Sequence, residues 1–192
     1  MGKVLLINGH PDKESYNFAL AEAYKKGVSK SDAELREIQI CELDFDTNLQ
    51  YGYRKRTELE PDLVKAQELI LWADHLVWVY PVWWGSVPAI MQGFLDRVLL
   101  PGFAFKKQED SPLWDRFLTG KTARLICSMD QPPWYYWLLY GSPSHKAMKK
   151  LTLQYCEVKK VKITSIGPIM YSASKFRETW IKKIESLGQR KL

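Results

Sequence analysis

Two short loops carry the residue types suited to chemistry in this chain of 192 residues. The first reads Gly9-His10-Pro11-Asp12-Lys13-Glu14-Ser15-Tyr16-Asn17, between an apolar run and a helix-forming one. A hydroxyl at Ser15, an amide at Asn17 and an imidazole at His10 cluster where a helix begins. Unbonded N–H groups and the positive dipole end of a helix start favour an anion such as phosphate. Taken singly, Ser15 fits an ordinary N-cap, His10 a structural hydrogen-bonder and Asn17 a surface polar residue. Their meeting in one loop favours an anion site. The loop holds no G-x-G-x-x-G, which argues against a dinucleotide-binding Rossmann domain, and no G-x-x-x-x-G-K-[ST], which excludes a P-loop NTPase.

The second loop is Pro81-Val82-Trp83-Trp84-Gly85-Ser86-Val87-Pro88, between the β-rich run from His75 and the helical run ending near Val98. In open parallel α/β sheets, ligands bind at the carboxyl ends of strands. Two adjacent indoles beside a glycine suit a planar aromatic ligand pressed against backbone. The same pair also fits a packed tight turn, and Trp83 in particular can serve packing alone.

The elements that must position these loops follow from hydrophobic pattern. Lys3 to Asn8 predicts a buried strand, and Ser15 to Lys26 a helix with Gly27 as its C′ residue. Glu34 to Ile40 alternates as an outer strand, and Leu43 to Arg56 is an aperiodic, aromatic and basic excursion. Pro61 opens a second helix at the favourable N1 position. His75 to Val79 is a continuous apolar strand, as required where both sheet faces are covered. Ala89 to Leu99 predicts the third helix and Thr122 to Cys127 the fourth strand. An aromatic loop follows, with Trp134 to Tyr140 as a pocket wall or a packed helix face. A helix from Ser144 to Gln154, a fifth strand from Val161 to Ile166 and a terminal helix from Ser174 to Leu187 complete the pattern. Such alternation implies a five-stranded parallel sheet with helices on both sides, in one domain spanning residues 1–192.

Bulk properties narrow the function classes. A hydrophobic share of 46% with 26% charged residues is that of a globular protein. The net charge of +6 comes from short groups such as Lys149-Lys150 and Lys182-Lys183, not from the block or stripe expected of a nucleic-acid site. Attraction of an anionic cofactor is a modest use of that charge. Cys41, Cys127 and Cys156 are odd in number and form no C-x-x-C, so reduced thiols are expected and neither zinc nor a disulfide framework is indicated. The opening residues enter a strand with no charged leader or apolar h-region, and Asp74, Pro81, Gly85, Pro88 and Asp96 break the richest apolar window. A cytoplasmic protein without stable membrane insertion is expected.

The chain resembles the NAD(P)H:quinone reductase family of flavodoxin-like flavoproteins. The resemblance rests on His10-Pro11 with Ser15-Tyr16-Asn17, on Trp72 to Val77, on Tyr80-Pro81 through Trp84 to Ile90, on Gly93 to Val98 and on Gly102 to Phe105. It runs from residue 3 to about residue 128 and more loosely to the end. It implies a three-layer α/β/α flavodoxin-like fold with strand order 2-1-3-4-5. It also implies that His10, Ser15, Tyr16 and Asn17 hold the phosphate of FMN or FAD, with Pro81, Val82, Trp83, Trp84 and Gly85 along the ring and Ser128 at the next strand's end. NAD(P)H would be the co-substrate and a quinone-like small molecule the acceptor, in ping-pong turnover. Members are usually homodimers, which makes Gly102 to Phe105 and the 43–56 excursion candidate contacts.

One departure concerns the loop after the fourth strand. Animal members carry Thr-Thr-Gly-Gly there, followed by a tyrosine and a histidine that stabilise charge. Ser128 to Gly141 here lacks the glycine pair. Tyr135, Tyr136 or Tyr140 then stands for the tyrosine, and His145 for the histidine. The competing reading is a flavodoxin-like electron carrier or the ancillary flavoprotein of a potassium efflux system. Carriers of that type are acidic, whereas this chain is basic, so an enzyme is favoured.

Overall fold

The structure, a computed structural model, describes residues 2–108 and 111–190. Five parallel strands form the central sheet: β1 (Lys3–Asn8), β2 (Glu34–Gln39), β3 (His75–Pro81), β6 (Thr122–Ser128) and β7 (Lys160–Ile166). Their order is β2-β1-β3-β6-β7, the expected 2-1-3-4-5 arrangement when the sheet strands alone are counted. Side chains alternate across this sheet, and the alternation assigns the layers. Val4, Leu6, Val77 and Val79 face α1 (Tyr16–Val28) and α6 (Ser174–Gln189). Leu5, Ile7, Leu76 and Trp78 face α2 (Pro61–Trp72) and α3 (Ala89–Val98). Burial on both faces explains why the strands read as unbroken apolar runs.

Several expectations are corrected. Gly27 does not end its helix; α1 continues to Val28, and Gly27 serves helix packing instead. A Cβ there would stand 2.0 Å from the Glu185 carbonyl oxygen, and one on Gly188 would stand 2.2 Å from that of Tyr24. The two glycines let the backbones of α1 and α6 touch, which no larger residue permits. The aromatic loop contains a helix, α4 (Pro133–Tyr140). The single helix expected from Ser144 to Gln154 is a short α5 (Pro143–Lys146) that widens into π-helix from Ala147 to Leu153. A small antiparallel hairpin of β4 (Phe105–Lys107) and β5 (Trp114–Arg116) was not expected.

The 43–56 excursion is irregular beyond a short 3₁₀ turn at Ile40–Glu42, and its anchor is Arg97 at the end of α3. That guanidinium is 1% exposed and bonds both oxygens of Glu60, at 3.1 and 2.7 Å, and the carbonyls of Asp46 and Glu58. Burial opposes ionisation of Glu60, but backbone N–H groups of Glu60 and Asp46, with Arg97, outweigh it and hold the carboxyl below its usual pKa. Among the described residues, no helix is long and apolar enough to cross a membrane.

Candidate active site

The strand order reverses direction between β1 and β3, and the loops leaving these two strands diverge to form a crevice. The first loop runs from Gly9 to Ser15 and is held by its own side chains. His10 Nδ1 accepts the Asp12 N–H at 3.0 Å, and Asp12 Oδ1 accepts the Glu14 N–H at 2.9 Å. Burial lowers the His10 pKa, partly countered by Asp12. The imidazole is therefore neutral near pH 7, and its Nδ1 lies 3.0 Å from the Asp12 N–H and 3.1 Å from the Asp12 carbonyl. Ser15 is the N-cap of α1, and its Oγ accepts the Phe18 N–H at 3.4 Å. Among the described residues, the N–H groups of Tyr16 and Asn17 donate to no protein acceptor. They form the anion-seeking end of the helix.

The remaining side chains of this loop turn elsewhere. Asn17 is buried, and its Nδ2 donates to Ser128 Oγ at 2.9 Å. Tyr16 lies along α6 and donates to the Arg177 carbonyl at 2.9 Å, burial raising its pKa to about 12. Asn17 thus reaches a ligand only through its N–H.

The second loop is a two-residue hairpin turn. Trp83 N–H donates to the Ser86 carbonyl at 3.1 Å, and Ser86 N–H returns to the Trp83 carbonyl at 2.8 Å. The central residues Trp84 and Gly85 have φ of 50° and 72°, as type I′ geometry demands. Glycine meets that demand freely; tryptophan does not. Left-handed backbone at a bulky side chain costs roughly 1–2 kcal/mol. Packing does not repay it, because Trp84 is fully exposed (103%). Among the described residues the N–H groups of Trp84 and Gly85 have no protein acceptor. A strained, outward-facing aromatic turn with two available donors points to a ligand.

The two loops meet at the ring of His10, which stands edge-on to Trp83 with centroids 5.3 Å apart. Val82 N–H donates to the Ser128 carbonyl at 2.7 Å, so the turn is also tied to the tip of β6. Pro81 ends β3 and is buried. His10, Ser15, Asn17, Trp83, Trp84, Gly85 and Ser128 therefore share one edge.

The residues offered for charge stabilisation separate. Tyr136 is 4% exposed, and its hydroxyl accepts the Ser144 N–H at 3.0 Å. Its own proton then points to the Gly85 carbonyl at 3.5 Å. Burial raises its pKa. His145 packs edge-on against Tyr136 at 5.4 Å, and its Nε2 lies 3.4 Å from Ser165 Oγ. Burial lowers the His145 pKa and keeps it neutral. Tyr135 turns outward against Trp134 and Tyr140.

Sequence reasoning missed the buried group beneath the turn. The Tyr80 hydroxyl faces Cys127 and Ser144 without a well-formed bond, and burial raises its pKa well above normal. The tyrosine at the end of an otherwise apolar strand was the available signal. Burial also drives the Cys127 thiol up to about 12, so it is no nucleophile. A concavity of about 860 Å³ lies elsewhere, between residues 49–59, α2 and the 100–103 turn. It holds none of the residues above.

Strand order, a helix start with available N–H groups and an aromatic turn at the switch point mark a flavodoxin-like protein. The chain belongs to the flavodoxin-like fold family, whose model matches residues 2–189. It is 28% identical over 123 residues to rat (Rattus norvegicus) NAD(P)H dehydrogenase [quinone] 1, covering 54% of this chain and 45% of that protein. The chain spans about half the length of the first such relatives it matches. The NAD(P)H:quinone oxidoreductase from Methanothermobacter marburgensis superposes with a TM-score of 0.82 at 21% identity, over 100% of this chain and 99% of that one. An FMN-dependent NADH-azoreductase from Bacillus anthracis, solved with FMN, gives 0.73 at 18% identity, over 99% of each chain.

Proposed function

We propose that this chain is a flavin-dependent NAD(P)H:acceptor oxidoreductase that reduces quinones or similar planar acceptors by two electrons in ping-pong turnover. The observation that carries this reading is the Trp83–Ser86 turn. It presents a strained indole and two available N–H groups beside a helix start whose N–H groups are also available. The donor set fits FMN or FAD, which needs an anion site and a backbone edge for a planar ring. The names of the rat and archaeal proteins, and the FMN held by the azoreductase, support the same class.

When bound, the flavin supplies the two-electron chemistry. The chain's residues supply the rest. The His10 imidazole, the Ser15 hydroxyl and the N–H groups of Tyr16 and Asn17 hold the phosphate. Pro81 to Gly85 line the ring edge, where the N–H groups of Trp84 and Gly85 stabilise negative charge. The Trp84 indole forms a side wall against which planar substrates pack. Tyr136 is a positioning residue that fixes the Gly85 carbonyl. Tyr135, beside Tyr136 on α4, and His145, edge-on to Tyr136, are the groups assigned to proton movement. The side chains of Tyr16 and Ser128 act indirectly, through α6 and Asn17.

The chain also forms a homodimer in this proposal, through the 43–56 excursion and the Gly102–Phe105 turn. Leu49, Tyr53, Gly102 and Phe103 from those segments line the 860 Å³ concavity, and Tyr53 is 68% exposed there.

Purified protein should be yellow, and stopped-flow mixing with NADPH should bleach it within one turnover. Colourless protein that takes up neither FMN nor FAD overturns the proposal, and a flavin that NADPH does not reduce leaves only a carrier.

A further inference from the structure

Helix α4 presents an apolar face that none of the described residues covers. Pro133 to Tyr140 contains no charged residue, and only Tyr136 is buried. Trp137 and Leu138 are 67% and 69% exposed, where a surface helix ordinarily carries polar side chains. The patch continues at both ends. Tyr136 reaches the Gly85 carbonyl, and a Cβ on Gly85 would lie 3.3 Å from Pro143, which brings the exposed Trp84 alongside. Ile169 N–H donates to the Met129 carbonyl and Met170 N–H to Asp130 Oδ1. Met170 and Tyr171, 63% and 91% exposed, therefore stand beside the start of α4. A contiguous apolar surface of this kind marks an interaction site.

Composition and charge identify the partner. Tryptophan and tyrosine among leucines match the headgroup zone of a bilayer, where amphipathic rings are favoured. Lysines border the patch on one side. A Cβ on Gly141, which caps α4, would lie 3.0 Å from Lys146 Nζ, and Lys149 and Lys150 follow in the next helix. Among the described residues none of the three is paired with a carboxylate. Two copies meeting through this patch by two-fold symmetry would bring their lysine groups to one interface. An anionic lipid surface instead attracts them.

We infer that α4, with Trp84 and the Met170–Tyr171 turn, is a docking surface for anionic lipid bilayers. The contact is peripheral, since no helix among the described residues can span a membrane. The surface adjoins the Trp84 turn, so docking turns the site mouth toward the membrane. If the oxidoreductase reading holds, on which this last step rests, the acceptor is a lipophilic molecule dissolved in the bilayer.

The test is sedimentation of the full chain with vesicles of phosphatidylcholine alone, or mixed in equal parts with phosphatidylglycerol. The protein should pellet with the mixed vesicles, with blue-shifted tryptophan emission, and added salt should weaken the binding. The double substitution Trp137→Ser/Leu138→Ser should reduce partitioning at least about tenfold. Lys149→Gln/Lys150→Gln should reduce it roughly fivefold per lysine, and it decides the matter if the first variant loses its circular dichroism. No binding to anionic vesicles, or binding unchanged in a folded variant, overturns the inference. So does conversion of an oligomer to a smaller species by Trp137→Ser/Leu138→Ser in light scattering. Vesicle binding needs neither NAD(P)H nor acceptor, so colourless protein that still binds would sink the oxidoreductase reading alone.

Discussion

The carboxamide of Asn17 donates to the hydroxyl of Ser128 at 2.9 Å, joining the first turn of α1 to the tip of β6 inside the protein. The bond matters because the same two elements present the helix-start N–H groups and, through the Ser128 carbonyl, hold the aromatic turn. Ser128→Ala leaves a buried amide without its partner and should cost roughly 1–3 kcal/mol. Asn17→Ala should cost a similar amount, and the double variant little more than either single, because one interaction is lost in all three. Chemical denaturation of the four proteins gives the coupling directly. Additive costs would show that the two side chains act independently.

Trp84 occupies left-handed backbone with its side chain in solvent. Asparagine accepts that conformation, and Asn-Gly is the preferred type I′ pair. Trp84→Asn should therefore stabilise the ligand-free protein by about 1 kcal/mol. It should also weaken flavin or acceptor binding, since the wall of the site is gone. Urea unfolding and a flavin titration check the two halves separately. Lower stability in the variant would mean that the indole is not held in place at a cost.

The fold was legible because its strands are buried on both faces. Val4-Leu5-Leu6-Ile7 sends alternate side chains to two cores, and no polar residue interrupts it. Ser15 was legible as a helix start because capping is local. What escaped the sequence depends on distant partners. Asn17 finds Ser128 across 111 positions, which no local pattern encodes. Gly27 carries the same signal for a helix end as for a close approach, and only Gly188 on α6 decides between them. α4 is apolar on every side, so it lacks the period that reveals a surface helix. β4 and β5 have three residues each, too few for alternation to register. The type I′ turn carries Trp-Gly where the usual signal is Asn-Gly.

The α1–α6 contact makes a sharp steric prediction. Gly27→Ala places a methyl against the Glu185 carbonyl, and Gly188→Ala places one against that of Tyr24. Backbone atoms cannot rotate aside, so the helices must separate. Each variant should lose roughly 3 kcal/mol, far more than the gain from replacing a helical glycine by alanine. Thermal unfolding measures the loss. A neutral or stabilising Gly27→Ala would show that the helices pack less closely than described.

His75 gives the protein a pH dependence with a defined sign. Its Nδ1 lies 2.7 Å from the Thr122 hydroxyl, while Nε2 is buried without a partner. Burial, then the charges of Arg124 and Lys162, lower its pKa from 6.5 to about 4. Between these values the unfolded chain binds a proton that the folded chain refuses. Stability is therefore full above pH 6.5 and falls as the pH drops toward 4, by up to about 3 kcal/mol. Carboxylates take up protons toward the lower end of that window, so the wild-type profile alone does not isolate the histidine. His75→Gln keeps a hydrogen-bonding side chain beside Thr122 but cannot take up the proton. Wild-type stability minus that of the variant should fall steadily as the pH drops through this window. A constant difference would mean that His75 titrates alike in the folded and unfolded chains.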